Sequence, residues 1–250
     1  MSLLNDKLKN ITLKELLSII IILFAIQFIF NNYNIVHIDS VWIYFLIILY
    51  FIFKLRDVIF QTKNDILNVF SADSLKYIFF IVILNIFISY GLLYLSNFIL
   101  AMFPNFNIFS HDVSNSIVIS SFIATIFISP ICEELIFRGV FINRLKLIVP
   151  TLFAVLISAL FFASLHSFGS IFSAFIFAVC MGILYLKTEN IFVVIFAHFL
   201  NNLFAEIIVG MDSNNILFTN NLVMGAMSLL AIVSFAVILV FIYRELNKIK

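Results

Sequence analysis

Long apolar runs separated by short polar breaks restrict this chain's fold more than any other feature. Eight runs read as helices, with approximate limits 15–31, 41–54, 76–100, 116–145, 150–166, 170–187, 190–209 and 222–244. A bilayer core of about 30 Å is crossed by ~20 apolar residues in a helix, which satisfies its own backbone groups. A water-soluble domain could not hide 33 phenylalanines in 250 residues of mean hydropathy +1.21. The expected fold is an all-α polytopic membrane protein of about eight transmembrane helices. Residues 1–250 read as one integral membrane domain. Run 41–54 is short for a span. The stretch from Leu55 to Leu75 mixes Lys, Asp and Asn with Val58, Ile59, Ile66, Leu67 and Phe70, which suits an interfacial helix or a wet loop.

The positive charges agree with this layout. All 14 Lys and Arg lie on or toward one side of an eight-span arrangement. Lys7, Lys9 and Lys14 precede the first run, and Lys54, Arg56, Lys63 and Lys76 lie between the second and third. Arg138, Arg144 and Lys146 sit at or near the end of the fourth, Lys187 follows the sixth, and Arg244, Lys248 and Lys250 follow the eighth. The connections near 32–40, 101–115, 167–169 and 210–221 contain none. The positive-inside rule then places both termini in the cytoplasm of a multi-pass cell-membrane protein. No small-x-small cleavage site follows the first run, so a retained span is expected rather than a signal peptide. Cys132 and Cys180 lie in apolar runs without CxxC spacing and read as small buried hydrophobes. A net charge of +1 with no basic, aromatic-interleaved patch argues against nucleic acid as a partner. No P-loop or GxGxxG points to a nucleotide.

Against this apolar background, Ser129-Pro-Ile-Cys-Glu-Glu-Leu-Ile-Phe-Arg-Gly139 is anomalous. An ionisable group at membrane depth costs on the order of 2.5–3.5 kcal/mol by insertion scales, so its default reading is functional. Glu134 and Arg138 are four residues apart and share a helix face, where a charge-assisted pair lowers the cost of embedding both. Glu133 is rotated about 100° away and is expected to lack a partner in its own helix, the setting of a general base or acid. Pro130 removes a backbone N–H and predicts a kink or a helix start. The structural reading of this cluster is an ion-pair network that fixes helix packing; such a network needs no second acid.

Two further helices carry polar groups. The fifth run ends in Phe162-xxx-His166, where a lone histidine is commonly a solvated or capping residue. The seventh holds His198, with Asn202 one turn later on the same face and Glu206 one turn beyond. An interhelical hydrogen bond explains His198 and Asn202 without chemistry. Together, however, helices four, five and seven supply acid, base and hydrogen-bond donors to one embedded polar site. Glu with two His is enough to hold and activate a water, directly or through a metal. Asn or His can donate to a developing oxyanion. That is equipment for hydrolysing an amide bond. HExxH and GxSxG are absent. In an eight-span arrangement His166 lies ~24 Å along its helix and His198 only ~12 Å along its own. Tilt or a re-entrant segment must close that gap if both share a site.

Glu133-Glu134-xxx-Arg138, Phe162-xxx-His166 and His198-xxx-Asn202 resemble, in order and spacing, the three motifs of the CAAX prenyl protease type II and bacteriocin-processing family. These CPBP or Abi-type proteins are intramembrane proteases. The resemblance covers a motif-bearing core at about 116–210; residues 1–115 match only as variable hydrophobic spans, and 211–250 form a C-terminal span and tail. It implies an eight-helix intramembrane endopeptidase. Glu133 would activate the attacking water with help from His166, Glu134 and Arg138 would organise the site, and His198 and Asn202 would stabilise the oxyanion. The family is often labelled metalloprotease, and a glutamate-driven mechanism without metal is also proposed for it. In the metal version Glu133, His166 and His198 would ligate, with zinc the expected ion.

The resemblance also bounds the substrate. Eukaryotic relatives cut the last three residues from prenylated CAAX proteins, whereas bacterial ones are linked to maturation of peptide pheromones or bacteriocins and to self-immunity. The high Ile, Phe, Asn and Lys content resembles a low-GC bacterial proteome and favours the bacterial roles. The expected partner is a membrane-associated peptide or protein in the lipid bilayer. The alternative is a non-catalytic membrane scaffold or bacteriocin-immunity protein of the same fold; presence of all six motif residues favours the enzyme. A transporter fits less well, because no inverted repeat is visible.

Overall fold

The computed structural model describes residues 3–33, 35–102, 122–166, 171–212 and 220–249, with side chains described up to Leu95 in the helix that ends at Met102. Expectations for the connections 103–121, 167–170 and 213–219 lie outside the described residues. Among the described residues the regular structure is entirely helical. In chain order the helices are α1 (Leu3–Asn10), α2 (Leu13–Asn32), α3 (Ser40–Ile59), α4 (Lys63–Val69) and α5 (Ala72–Met102). A composite helix α6 (124–145) follows, then α7 (Thr151–Ser164), α8 (Ile171–Thr188), α9 (Ile191–Met211) and α10 (Asn221–Ile249).

Each of the eight apolar runs carries a helix, the fourth described from Phe122 onward. Five helices are long and apolar enough to cross a membrane: α2, α5 over Ala72–Leu95, α8, α9, and α10 over Asn221–Lys248. The chain is thus a multi-pass all-α membrane protein. A count of eight spans also needs α3, α6 and α7, of which α7 has only 14 residues. Helix α3 runs past 54 to Ile59, because the charges near its end find partners. Lys54 pairs with Glu15 of α2 at 2.6 Å, and the Arg56 guanidinium lies 4.8 Å over the Phe53 ring. The polar stretch after it contains α4, a short helix rather than a wet loop. Val69 of α4 is buried, and Asn190 Nδ2 donates to Asp65 O at 2.7 Å.

Helix α8 is the centre of the bundle. Most of its side chains from Ser173 to Tyr185 are buried, with α5, α6, α7, α9 and α10 packed around it. Helices α5 and α10 run along one another and approach closely at Gly91. A Cβ there would collide with Ala231 Cβ and stand 2.9 Å from Met227 O. Only glycine permits this backbone approach, the usual basis of close helix pairs in lipid. The outside of the bundle exposes Phe24, Phe28, Phe45, Phe53, Leu229 and Ile232, as a lipid-facing surface should.

Candidate active site

The site is built on α6, whose backbone changes register around the two glutamates. Residues 124–128 and 135–142 are π-helical, and Ser129–Glu134 is an α-turn between them. Ser129 N–H donates to Ala124 O, five residues back. In that register the N–H due to Thr125 O belongs to Pro130, which has none. Asn202 of α9 fills the place: its Nδ2 donates to Thr125 O at 2.9 Å. Pro130 therefore alters the helix as expected, through a π-turn whose freed carbonyl is taken by another helix; such turns recur at functional sites.

The α-turn carries both acids. Glu134 is fully buried and its Oε1 accepts from Arg138 Nη1 at 3.0 Å. Arg138, also buried, donates through Nη2 to Ala178 O of α8 at 3.1 Å and lies 4.7 Å over the Phe162 ring of α7. The same Glu134 Oε1 is 2.8 Å from His198 Nδ1. A carboxylate at that distance assigns the Nδ1 proton to the imidazole. His198 then turns Nε2 toward Glu133, whose Oε2 is 3.9 Å away. Its ring is boxed by Phe162 at 5.7 Å and Phe177 at 5.3 Å between centroids. The Glu134–Arg138 pair expected from spacing is present, and it is joined by His198.

Glu133 is less isolated than expected. Ser129 Oγ, one turn earlier on α6, donates to Glu133 Oε1. The expectation that Glu133 lacks a partner in its own helix is thus corrected: a serine four residues back shares its face. That hydrogen bond occupies one carboxylate oxygen and leaves Oε2 on the His198 side.

His166 stands apart from the acids. Its Nδ1 is 3.0 Å from Phe162 O, its ring lies 4.7 Å from the Phe162 ring, and it makes no ion pair with either glutamate. Phe162 contacts both histidines, its ring lying 4.7 Å from that of His166 and 5.7 Å from that of His198 between centroids. Among the described residues no group of three His, Cys, Asp or Glu is placed to hold a metal ion. The set Glu133, His166 and His198 is therefore not assembled as a zinc site.

A chain of side-chain amides holds Asn202. Buried Asn85 Nδ2 on α5 donates to Asn201 Oδ1 at 2.9 Å, and Asn201 Nδ2 donates to Asn202 Oδ1 at 3.3 Å. The sequence assigns no role to Asn85, Asn201 or Ser129, and Phe162 enters it only as the first residue of the Phe162-xxx-His166 motif. Only Ser129 carried a usable signal, its spacing to Glu133.

The comparison that bears on this geometry covers its whole polar cluster on α6, α7 and α9. Residues 115–204 match the family model described as type II CAAX prenyl endopeptidase Rce1-like. This core is Rce1-like. The match agrees with the CPBP resemblance carried by the three motifs, and it includes Glu133, Glu134, Arg138, His166, His198 and Asn202. Helices α1 to α5 and α10 lie outside the Rce1-like segment. No curated protein and no solved structure matches the chain.

Proposed function

We propose that this protein is an intramembrane endopeptidase that hydrolyses a peptide bond in a membrane-associated peptide or protein. The observation that carries the proposal is His198 set between two adjacent carboxylates, Nδ1 on Glu134 and Nε2 facing Glu133. A separation of 3.9 Å is too long for a direct hydrogen bond and suits one water touching both groups. In this reading the water donates one hydrogen to Glu133 Oε2 and the other to His198 Nε2. Glu133 removes the first proton as the water oxygen bonds to the scissile carbonyl carbon. It returns that proton to the amide nitrogen as the C–N bond breaks, leaving a new carboxyl group and a free amine. Glu134 and Arg138 hold the tautomer and orientation of His198. One hydrogen of the Asn202 amide goes to Thr125 O, and we assign the second to the carbonyl oxygen as charge develops there. His166, held against Phe162, takes no step in this reading.

The substrate we favour is a bacterial peptide precursor cut at the cell membrane, with both chain termini in the cytoplasm. The test is cleavage of a membrane-anchored peptide library by purified protein. Wild type should cut a subset, Glu133→Gln and His198→Ala should not, and Glu206→Gln should behave as wild type. Equal cleavage by all four would remove the site assignment. A Glu133→Gln protein that preserves the cellular phenotype would instead establish a non-catalytic scaffold or immunity role.

A further inference from the structure

Asn85 interrupts an otherwise apolar stretch of α5 that runs from Ile78 to Ile88. It is 4% exposed and lies outside the Rce1-like segment 115–204. A buried amide in such a span needs a partner, and its common service is to join two helices. We propose that Asn85 does more: it is a positioning residue for peptide hydrolysis, holding the Asn202 amide in the orientation that donates to the oxyanion. This role rests on the reading of Asn202 as the oxyanion donor.

The amides form a chain with one direction. Asn85 Nδ2 donates to Asn201 Oδ1 at 2.9 Å, Asn201 Nδ2 to Asn202 Oδ1 at 3.3 Å, and Asn202 Nδ2 to Thr125 O at 2.9 Å. The last acceptor is a backbone carbonyl, which can only accept, and it fixes which way every amide points. Turning Asn202 over would set its Oδ1 against Thr125 O. Turning Asn85 over would set its Oδ1 against Asn201 Oδ1. The far end bears the consequence: Asn85 Oδ1 is buried and accepts from none of the described residues. Reversal would satisfy that oxygen only by leaving Thr125 O without a donor, since Pro130 has no N–H to give it. A side chain that merely joined α5 to α9 would not need this one-sided arrangement.

Asn202 is thus held at two points, its Oδ1 by Asn201 and one amide hydrogen by Thr125 O. With both fixed, the second hydrogen keeps a set direction. Without Asn85, Asn201 Oδ1 loses this donor and its amide can turn, so Asn202 keeps only the bond to Thr125 O. Attachment of the helices does not depend on this chain alone. Further along the same two helices, Tyr90 Oη donates to Ala205 O at 3.0 Å. That bond joins α5 to α9 without involving any amide of the chain, and it separates bracing from positioning.

The test is steady-state cleavage, by the purified full chain, of a membrane-anchored peptide that wild type cuts. Asn85→Leu should lower kcat on the order of 10- to 100-fold, the scale of a displaced catalytic contact. KM should stay near the wild-type value, because the oxyanion contact forms only in the transition state. Asn201→Ala should do the same, and it carries the test if Asn85→Leu does not fold. Tyr90→Phe should lower the melting temperature and leave kcat unchanged. In an Asn202→Ala background Asn85→Leu should cause no further loss of kcat, since it acts through that amide. The same fold-loss in both backgrounds would make Asn85 a brace and overturn the proposal. A kcat loss in Tyr90→Phe equal to that in Asn85→Leu would overturn it as well. A slow Asn202→Ala beside Asn85→Leu and Asn201→Ala at wild-type kcat would overturn the positioning role and keep Asn202 as the donor. Asn202→Ala at wild-type kcat would overturn the donor itself, and the role of Asn85 with it.

Discussion

Glu134 Oε1 receives two helices at once: Arg138 Nη1 at 3.0 Å from its own helix and His198 Nδ1 at 2.8 Å from α9. Because this one oxygen fixes the imidazole, replacing the carboxylate by an amide should damage catalysis more than folding. Glu134→Gln is expected to lower the hydrolysis rate on the order of 10³- to 10⁴-fold, the scale seen when a carboxylate that orients a catalytic histidine becomes an amide. Substrate affinity should change little. A loss under about tenfold would show that His198 needs no such orientation. Peptide cleavage at saturating substrate measures it.

Arg138 separates charge balance from chemistry. Arg138→Leu leaves Glu134 buried without its cation and should cost about 3–5 kcal/mol of stability. The double variant Glu134→Leu/Arg138→Leu removes both charges and should recover most of that cost, because apolar residues often replace a buried pair at little net loss. It should nevertheless remain inactive, since His198 has lost its acceptor. Thermal unfolding in detergent, set beside cleavage, distinguishes these outcomes.

The sequence made the fold legible where polarity changes sharply with position. Apolar runs near ~20 residues have few alternatives to helices in lipid, so the eight helical runs were readable while their ends were not. The end of α3 moved because Lys54 and Arg56 find partners at Glu15 and Phe53, contacts that a hydropathy count treats as breaks. Within the site, Glu134 with Arg138 was legible from i,i+4 spacing, and Ser129 with Glu133 had the same spacing. The His198–Glu134 contact joins residues 64 apart, and nothing local encodes it. The π-turns were hidden for a different reason: a change of backbone partner leaves no side-chain period, and only Pro130 marked the place.

Gly91 offers a test of packing away from the chemistry. A Cβ there would meet Ala231 Cβ and Met227 O, and the backbone carbonyl cannot move as a side-chain tip could. Gly91→Ala is expected to destabilise by about 1–3 kcal/mol, the usual range for overpacking. Adding Ala231→Gly should restore only part, because Met227 O stays in place. The folded fraction should retain its specific activity, and a matched loss of both would tie the α5–α10 contact to the site.

Asn202 has two roles that one double-mutant cycle can divide. Its amide satisfies Thr125 O, the carbonyl freed because Pro130 has no N–H. Asn202→Ala should cost about 1–2 kcal/mol through that unsatisfied acceptor. In a Pro130→Ala background the chain supplies its own N–H at position 130, so the stability cost of Asn202→Ala should shrink, with a coupling of about 0.5–2 kcal/mol. Activity should behave differently. If the second amide hydrogen serves the oxyanion, Asn202→Ala loses on the order of 10²–10³-fold in rate in either background. Recovery of both stability and activity in Pro130→Ala/Asn202→Ala would make Asn202 a helix brace alone and would leave oxyanion stabilisation to another donor.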